Sequence, residues 1–415
     1  MKTVRLGFVG SGFIAKFLAK AMIEVRHCEL SAIYKRSGSE ELAAFAKKNG
    51  LGEPILCDTV AELCNHVDAV AIFSPNFTRL NIMEEIADAV SKGAELTGVI
   101  CEKPLGRTVS EAKKMVQLAR SSNLKTAYFE NQLHMNVINN ALDQLRPQQK
   151  SMGEFHLARS TEEHAGPHSS WFWDPTQQGG GVLSDMGCHS IAACRHILTP
   201  EGEDPTFMKA VSVQAETSLI KWGLPKYREQ LKEKFGVDYE SAPAEDFATG
   251  IITFQNPKTG QLAKAQFTDS WMYDKQGLRL SMDGLGPGYA MEVNTLISPL
   301  EIFIGDEAAE AAADAETALE KSTATRGLLA VHPNEADLYG YTTEIRDMVN
   351  AFSKGEDAML TFEYGLEITR LVQASYMAAE LKKTLDLTDD MVKKEIDKYR
   401  SLISQGKGAD LLYGS

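Results

Sequence analysis

The sequence has no uninterrupted apolar run of the roughly 18 to 20 residues that a membrane-spanning helix needs, no CxxC pair and no excess of basic charge. Each lack closes a class of function. The N-terminal stretch MKTVRLGFVGSGFIAKFLAKAM begins like a secretory signal, but Gly10, Ser11 and Gly12 interrupt it, Lys16 and Lys20 follow, and no small-residue cleavage site closes it. No leader is therefore expected. The six cysteines, at 28, 57, 64, 101, 188 and 194, are scattered singly through a chain large enough to need no staples, which reads as reduced thiols in the cytoplasm. With 43 Lys and Arg against 57 Asp and Glu the formal charge is -14, which repels phosphate backbones and anionic bilayers. Neither nucleic acid nor membrane is an expected partner.

What is present is a soluble composition, 43% apolar and 24% charged, over 415 residues. That length exceeds one ordinary core, so two domains with an active site between them are expected. From Val4 to about Phe129, five β-branched runs (VRLGFVG, LSAIY, DAVAIFS, TGVIC, KTAYF) alternate with stretches of helical period. Continuous apolar strands separated by helices predict a doubly wound parallel sheet, a Rossmann domain over residues 1–132. Beyond it the texture changes to longer alternating segments such as MKAVSVQAETSLI, TGIITFQN and QLAKAQFTDSWMY. These predict an α+β domain with a large open antiparallel sheet over 133–387. Within that span GLPKYREQLKEKFGVDYESAPAEDF looks like a helical insertion, and the acidic, alanine-rich stretch 307–322 reads as an exposed helix or a mobile loop. Residues 388–415 read as a C-terminal helical tail.

Gly10-Ser11-Gly12-Phe13-Ile14-Ala15 lies directly after VRLGFV and directly before a helical pattern. In that setting the first glycine permits a tight turn, the second lets a pyrophosphate approach the backbone, and Ala15 lets helix and strand pack closely. The end of the second strand should read the ribose, and here it is Tyr34-Lys35-Arg36-Ser37, with no acid until Glu40. Arg36 can stack on adenine or hold a 2′-phosphate, with Lys35 and Ser37 adding donors, so of NAD(H) and NADP(H) the second is favoured. The alternative is that Lys35 and Arg36 are solvated loop charges around NAD.

After TGVIC comes Glu102-Lys103-Pro104, which places an ammonium at the carboxyl end of a parallel strand, where such sheets bind ligands. Further on, Gly179-Gly180-Gly181-Val182-Leu183-Ser184-Asp185-Met186-Gly187-Cys188-His189 opens a predicted helix with Asp185 and His189 at i and i+4 on one face. The carboxylate can orient the imidazole, and glycines ahead of the helix permit close approach by another body. An imidazole and carboxylate so paired can remove a proton from an alcohol as hydride leaves its carbon. Just upstream, His164, His168, Trp171, Phe172 and Trp173 combine polar groups with aromatic faces, which suits a carbohydrate. A zinc site of His164, His168, Cys188 and His189 is the rival reading. It lacks paired ligand spacing, so no metal is expected.

In their order and spacing the glycine fingerprint, Ser74-Pro75-Asn76, Glu102-Lys103-Pro104, the GGGxLxDxGxH element and the late SYMAAE helix resemble the glucose-fructose oxidoreductase / inositol dehydrogenase / rhizopine-catabolism (Gfo/Idh/MocA) family across nearly the whole chain. The resemblance implies that Lys103 bonds the substrate hydroxyl, that His189 is the general acid/base and that Asp185 supports both. It implies that Ser74, Pro75 and Asn76 line the nicotinamide ribose, with Glu102 beside the cofactor. Two positions depart from the family pattern: Arg79, where members often have histidine, and Glu130-Asn131-Gln132, where many carry arginine. Arg79 and Asn131 are thus cofactor-binding candidates, and His164, His168 and Trp173 join Lys103, Asp185 and His189 as substrate-binding candidates.

The implied activity is hydride transfer between a nicotinamide and a secondary alcohol or ketone of a sugar, sugar derivative or cyclitol, by a homo-oligomer (dimer or tetramer). The alternative is a redox-neutral NAD-dependent glycosidase or lyase that oxidises a ring carbon transiently.

Overall fold

In the computed structural model of the chain the apolar runs form a six-stranded parallel sheet. The structure describes residues 2–275, 277–295, 301–304, 327–330 and 334–413; the stretch 307–322 lies outside them. The strands are β1 (Val4–Val9), β2 (Cys28–Tyr34), β3 (Ile55–Cys57), β4 (Ala69–Ile72), β5 (Gly98–Glu102) and β6 (Lys125–Phe129), ordered β3-β2-β1-β4-β5-β6. β4 and β5 are buried at every position, which is why AVAI and GVICE show no alternation. β3 is three residues long and absent from the five runs that stand out in the sequence. The strand order reverses at β1, which pairs with β2 on one side and β4 on the other. Open α/β sheets bind ligands at the carboxyl ends flanking such a reversal.

The chain separates into two units, Met1–Asn136 with Ala336–Arg370 and Val137–Glu335 with Leu371–Ser415. A single cut at 132 is thereby corrected, because the segment 336–370 returns to the first unit. The helix Tyr341–Phe352 buries Tyr341, Ile345, Met348, Val349 and Phe352. Tyr341 meets Phe17 edge-on at 5.0 Å, and Ile345 and Met348 close over Phe8, Leu18 and Phe129. Residues 357–360 then line the edge of β6: Tyr128 donates its N–H to the Leu360 carbonyl at 2.8 Å, and Thr126 donates to Asp357 Oδ1 at 2.7 Å. Periodicity identifies an amphipathic helix but not the core it joins.

The second unit is built on β7 (Leu157–Glu163), β8 (Lys209–Ser218), β9 (Phe247–Gln255), β10 (Leu262–Ser270), β11 (Arg279–Gly286) and β12 (Tyr289–Asn294). β13 (Glu301–Ile304) and β14 (Gly327–Ala330) pair separately, and β15 (Leu385–Asp386) joins the large sheet, ordered β12-β11-β7-β10-β9-β8-β15. Its neighbours are antiparallel except β7 and β10, which are parallel. Ala263, Ala265, Phe267, Leu280 and Met282 turn inward, on the face packed by the helix Cys188–Leu198; Ile251 and Leu262 stand on the exposed side.

The insertion contributes the helix Pro225–Phe235, ended by Gly236 at φ 69°. The tail is not separate, as expected, but packs into this unit. Leu402 donates its N–H to Glu380 Oε1 at 2.8 Å, the Tyr413 hydroxyl donates to the Tyr239 carbonyl at 3.0 Å, and Ile396 and Ile403 are buried. Among the described residues no helix is long and apolar enough to cross a membrane.

Candidate active site

The first half of the site follows from two glycines of opposite surroundings. Gly10 has φ +130°, and a Cβ there would lie 2.6 Å from the Phe73 carbonyl oxygen, so only glycine fits. At Gly12 a Cβ would meet nothing within 4 Å. Behind it the helix Phe13–Met22 starts with no side-chain cap, so the positive end of the helix dipole lies beside that open space. Room beside a helix N-terminus is what a pyrophosphate requires, and the Gly10–Ala15 turn fits a dinucleotide. Ala15 is fully buried, and the Ser11 hydroxyl donates to the Ser37 carbonyl at 2.7 Å, tying the turn to the end of β2.

At that end Arg36 lies over the Tyr34 ring at 4.4 Å and donates to its hydroxyl, while Lys35 Nζ is 3.4 Å from Asp58. The absence of a nearby acid in the linear sequence is therefore misleading. Parallel pairing of β2 with β3 brings Asp58 beside Lys35.

Arg79, expected to contact cofactor, is engaged by backbone carbonyls. It is buried; Nε donates to the Ser74 carbonyl at 3.0 Å, and Nη1 donates to the Glu102 carbonyl at 2.6 Å and to the Pro104 carbonyl. It braces the loops after β4 and β5 against each other. Beside it Thr78 donates to the Ser74 hydroxyl at 2.8 Å; Pro75 leads into a short turn, and Asn76 is buried. Lys103 is half-buried and its backbone N–H donates to Glu102 Oε2 at 3.1 Å. Asn131 is buried and commits an amide donor to the Tyr339 carbonyl at 2.7 Å. Glu344, missed in the sequence because it lies on a helix over 200 residues away, is pushed well above the carboxylate range by burial and then by Glu102 and Glu130.

In the second unit Asp185 and His189 are buried at the start of one helical run, which is not a plain α-helix at that point. Leu183–Gly187 form a turn of π-helix before the α-helix Cys188–Leu198. Its wider turn changes the angular spacing from that of an α-helix. A third group enters instead: His164, also buried, has Nε2 at 4.0 Å from Asp185 Oδ2. Its Nδ1 accepts the Gly166 N–H at 2.9 Å, so a neutral ring carries its proton on Nε2, toward the carboxylate.

Trp173, expected to face substrate, is 1% exposed. It is enclosed by Trp222 at 4.6 Å, Trp271 at 5.1 Å and Tyr239 at 5.7 Å, and its indole donates to the Pro167 carbonyl at 3.1 Å. The half-exposed indole is Trp171, stacked on Phe172 at 3.8 Å, with His168 exposed nearby. Among the described residues the one trio of ligand type within 4.8 Å is Cys57, Glu62 and His66. Glu62 there already caps its helix by accepting the Asp58 N–H at 2.9 Å.

The reversed strand order and the glycine turn define a dinucleotide-binding type of α/β fold, accompanied by a second domain with a large open sheet. Residues 4–142 match the profile described as oxidoreductase family, NAD-binding Rossmann fold, and 147–284 match the GFO/IDH/MocA C-terminal domain. The chain belongs to the Gfo/Idh/MocA oxidoreductases. It is 26% identical to 1,5-anhydro-D-fructose reductase of Ensifer adhaerens over 51% of this chain and 60% of that protein. It is 25% identical to inositol 2-dehydrogenase of Rhizobium meliloti over 51% of this chain and 58% of that one. The alignments thus span 60% and 58% of those relatives. The crystal structure of GenD2 from gentamicin A biosynthesis, in complex with NAD, superimposes with a TM-score of 0.71 over 93% of this chain and 97% of that one, at 20% identity, a likeness of fold.

Proposed function

We propose that the protein is an NAD(P)-dependent dehydrogenase or reductase acting on a secondary alcohol or ketone of a sugar, sugar derivative or cyclitol. The observation that carries this is the buried pair Asp185 and His189 at one helix start, with His164 lying 4.0 Å from Asp185, in a chain whose other unit has an uncrowded glycine turn at Gly12. Oxidising an alcohol needs a hydride acceptor and a proton acceptor. A bound nicotinamide would supply the first. His189 takes the hydroxyl proton as the C–H electron pair leaves, and returns it in the reverse direction. Lys103, at the carboxyl end of β5, supplies an ammonium of the kind that stabilises negative charge developing on a substrate oxygen. Asp185 and the Nε2 proton of His164 fix the charge balance around the reacting imidazole.

The substrate class is supported by the relatives, one named a reductase of an anhydro-sugar and one an inositol dehydrogenase. Trp171 and His168 supply an exposed ring face and a hydrogen-bonding group of the kind that suits a polyol. Exposed Lys35 and Arg36 favour NADP(H) over NAD(H), although Asp58 offsets part of that charge. The exposed side of the large sheet suits a homo-oligomer, dimer or tetramer, and six cysteines that form no disulfide suit the cytoplasm. The test is absorbance of the reduced nicotinamide, with each cofactor in both directions, over a panel of sugars, cyclitols and their keto forms. No change with any pair overturns the reading. Release of an aglycone without net cofactor change would replace it with the redox-neutral alternative.

A further inference from the structure

The helix start that carries Asp185 and His189 is capped by a residue about sixty positions away. Gly181 and Leu183 donate their N–H groups to Glu245 Oε1 at 3.1 and 3.0 Å, and Val182 donates to the Glu245 backbone carbonyl at 3.1 Å. Helix starts leave such groups unsatisfied, and a local Ser, Thr, Asp or Asn ordinarily accepts one of them. Here one distant residue takes three in succession. Tyr376 completes the arrangement: its hydroxyl donates to Oε1 at 2.5 Å and accepts the Gly181 N–H at 3.1 Å.

The triple glycine is fitted to this contact. A Cβ on Gly180 would lie 2.1 Å from the Tyr376 hydroxyl oxygen, and one on Gly181 would lie 2.2 Å from the Glu245 carbonyl oxygen. The body for which these glycines make room is therefore the protein's own Glu245 and Tyr376.

We propose that Glu245 is a positioning residue for the reaction: its grip on Gly181, Val182 and Leu183 sets the placement of the turn that presents Asp185 and His189. This rests on the function proposed above. Oε1 collects three donors while Oε2, fully buried, meets none among the described residues. Burial pushes the carboxyl up to about 7, against the opposing pull of Tyr376 and the loop N–H groups. The titratable neighbours are Tyr376 and Tyr239, both raised well above the phenol range by burial and by this carboxylate, and Asp246. Asp246 turns away, accepting the N–H groups of Ile220, Lys221 and Trp222, each at 2.7 Å. Asp185 lies on the gripped turn itself. The ionised carboxylate binds donors more strongly than the neutral acid, so the grip tightens as pH rises through neutrality.

Two variants test this, read by kinetics and by the imidazole nitrogen resonances of His189. In the native protein those resonances should show a step near neutrality. Tyr376→Phe removes a donor to the carboxylate, so the step and any matching limb of kcat move to higher pH. Glu245→Gln abolishes both and lowers kcat about 10- to 100-fold, the scale of a small misplacement of reacting groups, while KM for the cofactor stays put. If both variants keep the native step, the proposal is overturned even where turnover is observed. Should Glu245→Gln fail to fold, an unmoved step in Tyr376→Phe alone overturns it. A step that moves as described in a protein with no turnover upholds the cap and overturns only the proposed function.

Discussion

Gly12 and Gly181 are both glycines at helix starts, the first expected to admit a pyrophosphate and the second to permit close approach by another body, and their surroundings are opposite. At Gly12 a side chain would project into open space, and the helix start behind it is left uncapped. At Gly181 a side chain would strike Glu245, and the helix start is capped from afar. The first unit thus leaves room at its glycine, where the proposed cofactor would lie against the helix start. The second spends its glycine on internal packing and consumes its donors, so what it offers a ligand is side chains: His164, Asp185 and His189. Affinity for the cofactor should live in the first arrangement and proton handling in the second.

That division is broken most directly at the reacting groups. His189→Ala should lower turnover about 10²- to 10⁴-fold, the range for loss of a general acid/base. Lys103→Ala should fall in the same range if its ammonium stabilises developing charge as proposed. The dissociation constant for the cofactor, measured by fluorescence titration, should change little in His189→Ala. An equal loss of binding and turnover there would erase the distinction. Next comes the aromatic core. Trp173→Ala should cost about 3–5 kcal/mol in urea unfolding, as deletion of a fully buried indole does. Trp171→Ala, half-exposed, should stay within about 0.5 kcal/mol and act on substrate KM instead. A stability loss for Trp171 comparable to that for Trp173 would show that both rings are core.

The glycines themselves give the third comparison. Gly181→Ala forces a Cβ onto a backbone oxygen and should destabilise by about 1–3 kcal/mol. Gly12→Ala, at φ -77° and with nothing nearby, should leave stability nearly unchanged and weaken cofactor binding. The linked pH effect has a definite sign. The folded Glu245 carboxyl sits at about 7 against an ordinary 4.5, so the native state holds this proton more tightly than the unfolded chain. Its contribution to stability is present in full below about 4.5, falls as pH rises toward about 7, and levels off above that. Asp246, Asp269 and Glu344, raised mainly by burial, act in the same direction. Glu245→Gln should flatten only its own share of that slope in thermal denaturation across pH.

The two halves also differ in how far they can be read from sequence. The Gly10–Ala15 fingerprint and the Glu102-Lys103-Pro104 step are local: strand, turn and helix lie within a few residues, so spacing alone implies the backbone path. The second half is assembled across long separations. Nothing near Leu183 points to Glu245, and i, i+4 spacing cannot foresee the π-turn at Leu183–Gly187. Trp171 and Trp173 are two residues apart in an irregular turn, with no period to say which faces inward. Arg79 looked like a charge for a ligand because its three carbonyl partners come from separate loops. The helix Tyr341–Phe352 was legible as a helix, but its partner Phe17 lies more than 300 residues earlier.

The smallest effects concern the ribose end, where long-range placement again modifies a local motif. Lys35 and Arg36 alone argue for a 2′-phosphate; Asp58, delivered by β3, argues against one. These groups are exposed, so each contributes little and salt screens them. Arg36→Ala should reduce the preference for NADP over NAD by about tenfold, the worth of one charge-assisted hydrogen bond. Asp58→Asn should raise it by a smaller factor, since it removes only a screened repulsion, and both effects should shrink as ionic strength rises. The ratio of kcat/KM for the two cofactors at low and high salt measures this. Opposite signs would show the two loops acting on one phosphate. No change in either variant would make Lys35 and Arg36 solvated charges and return the preference to NAD.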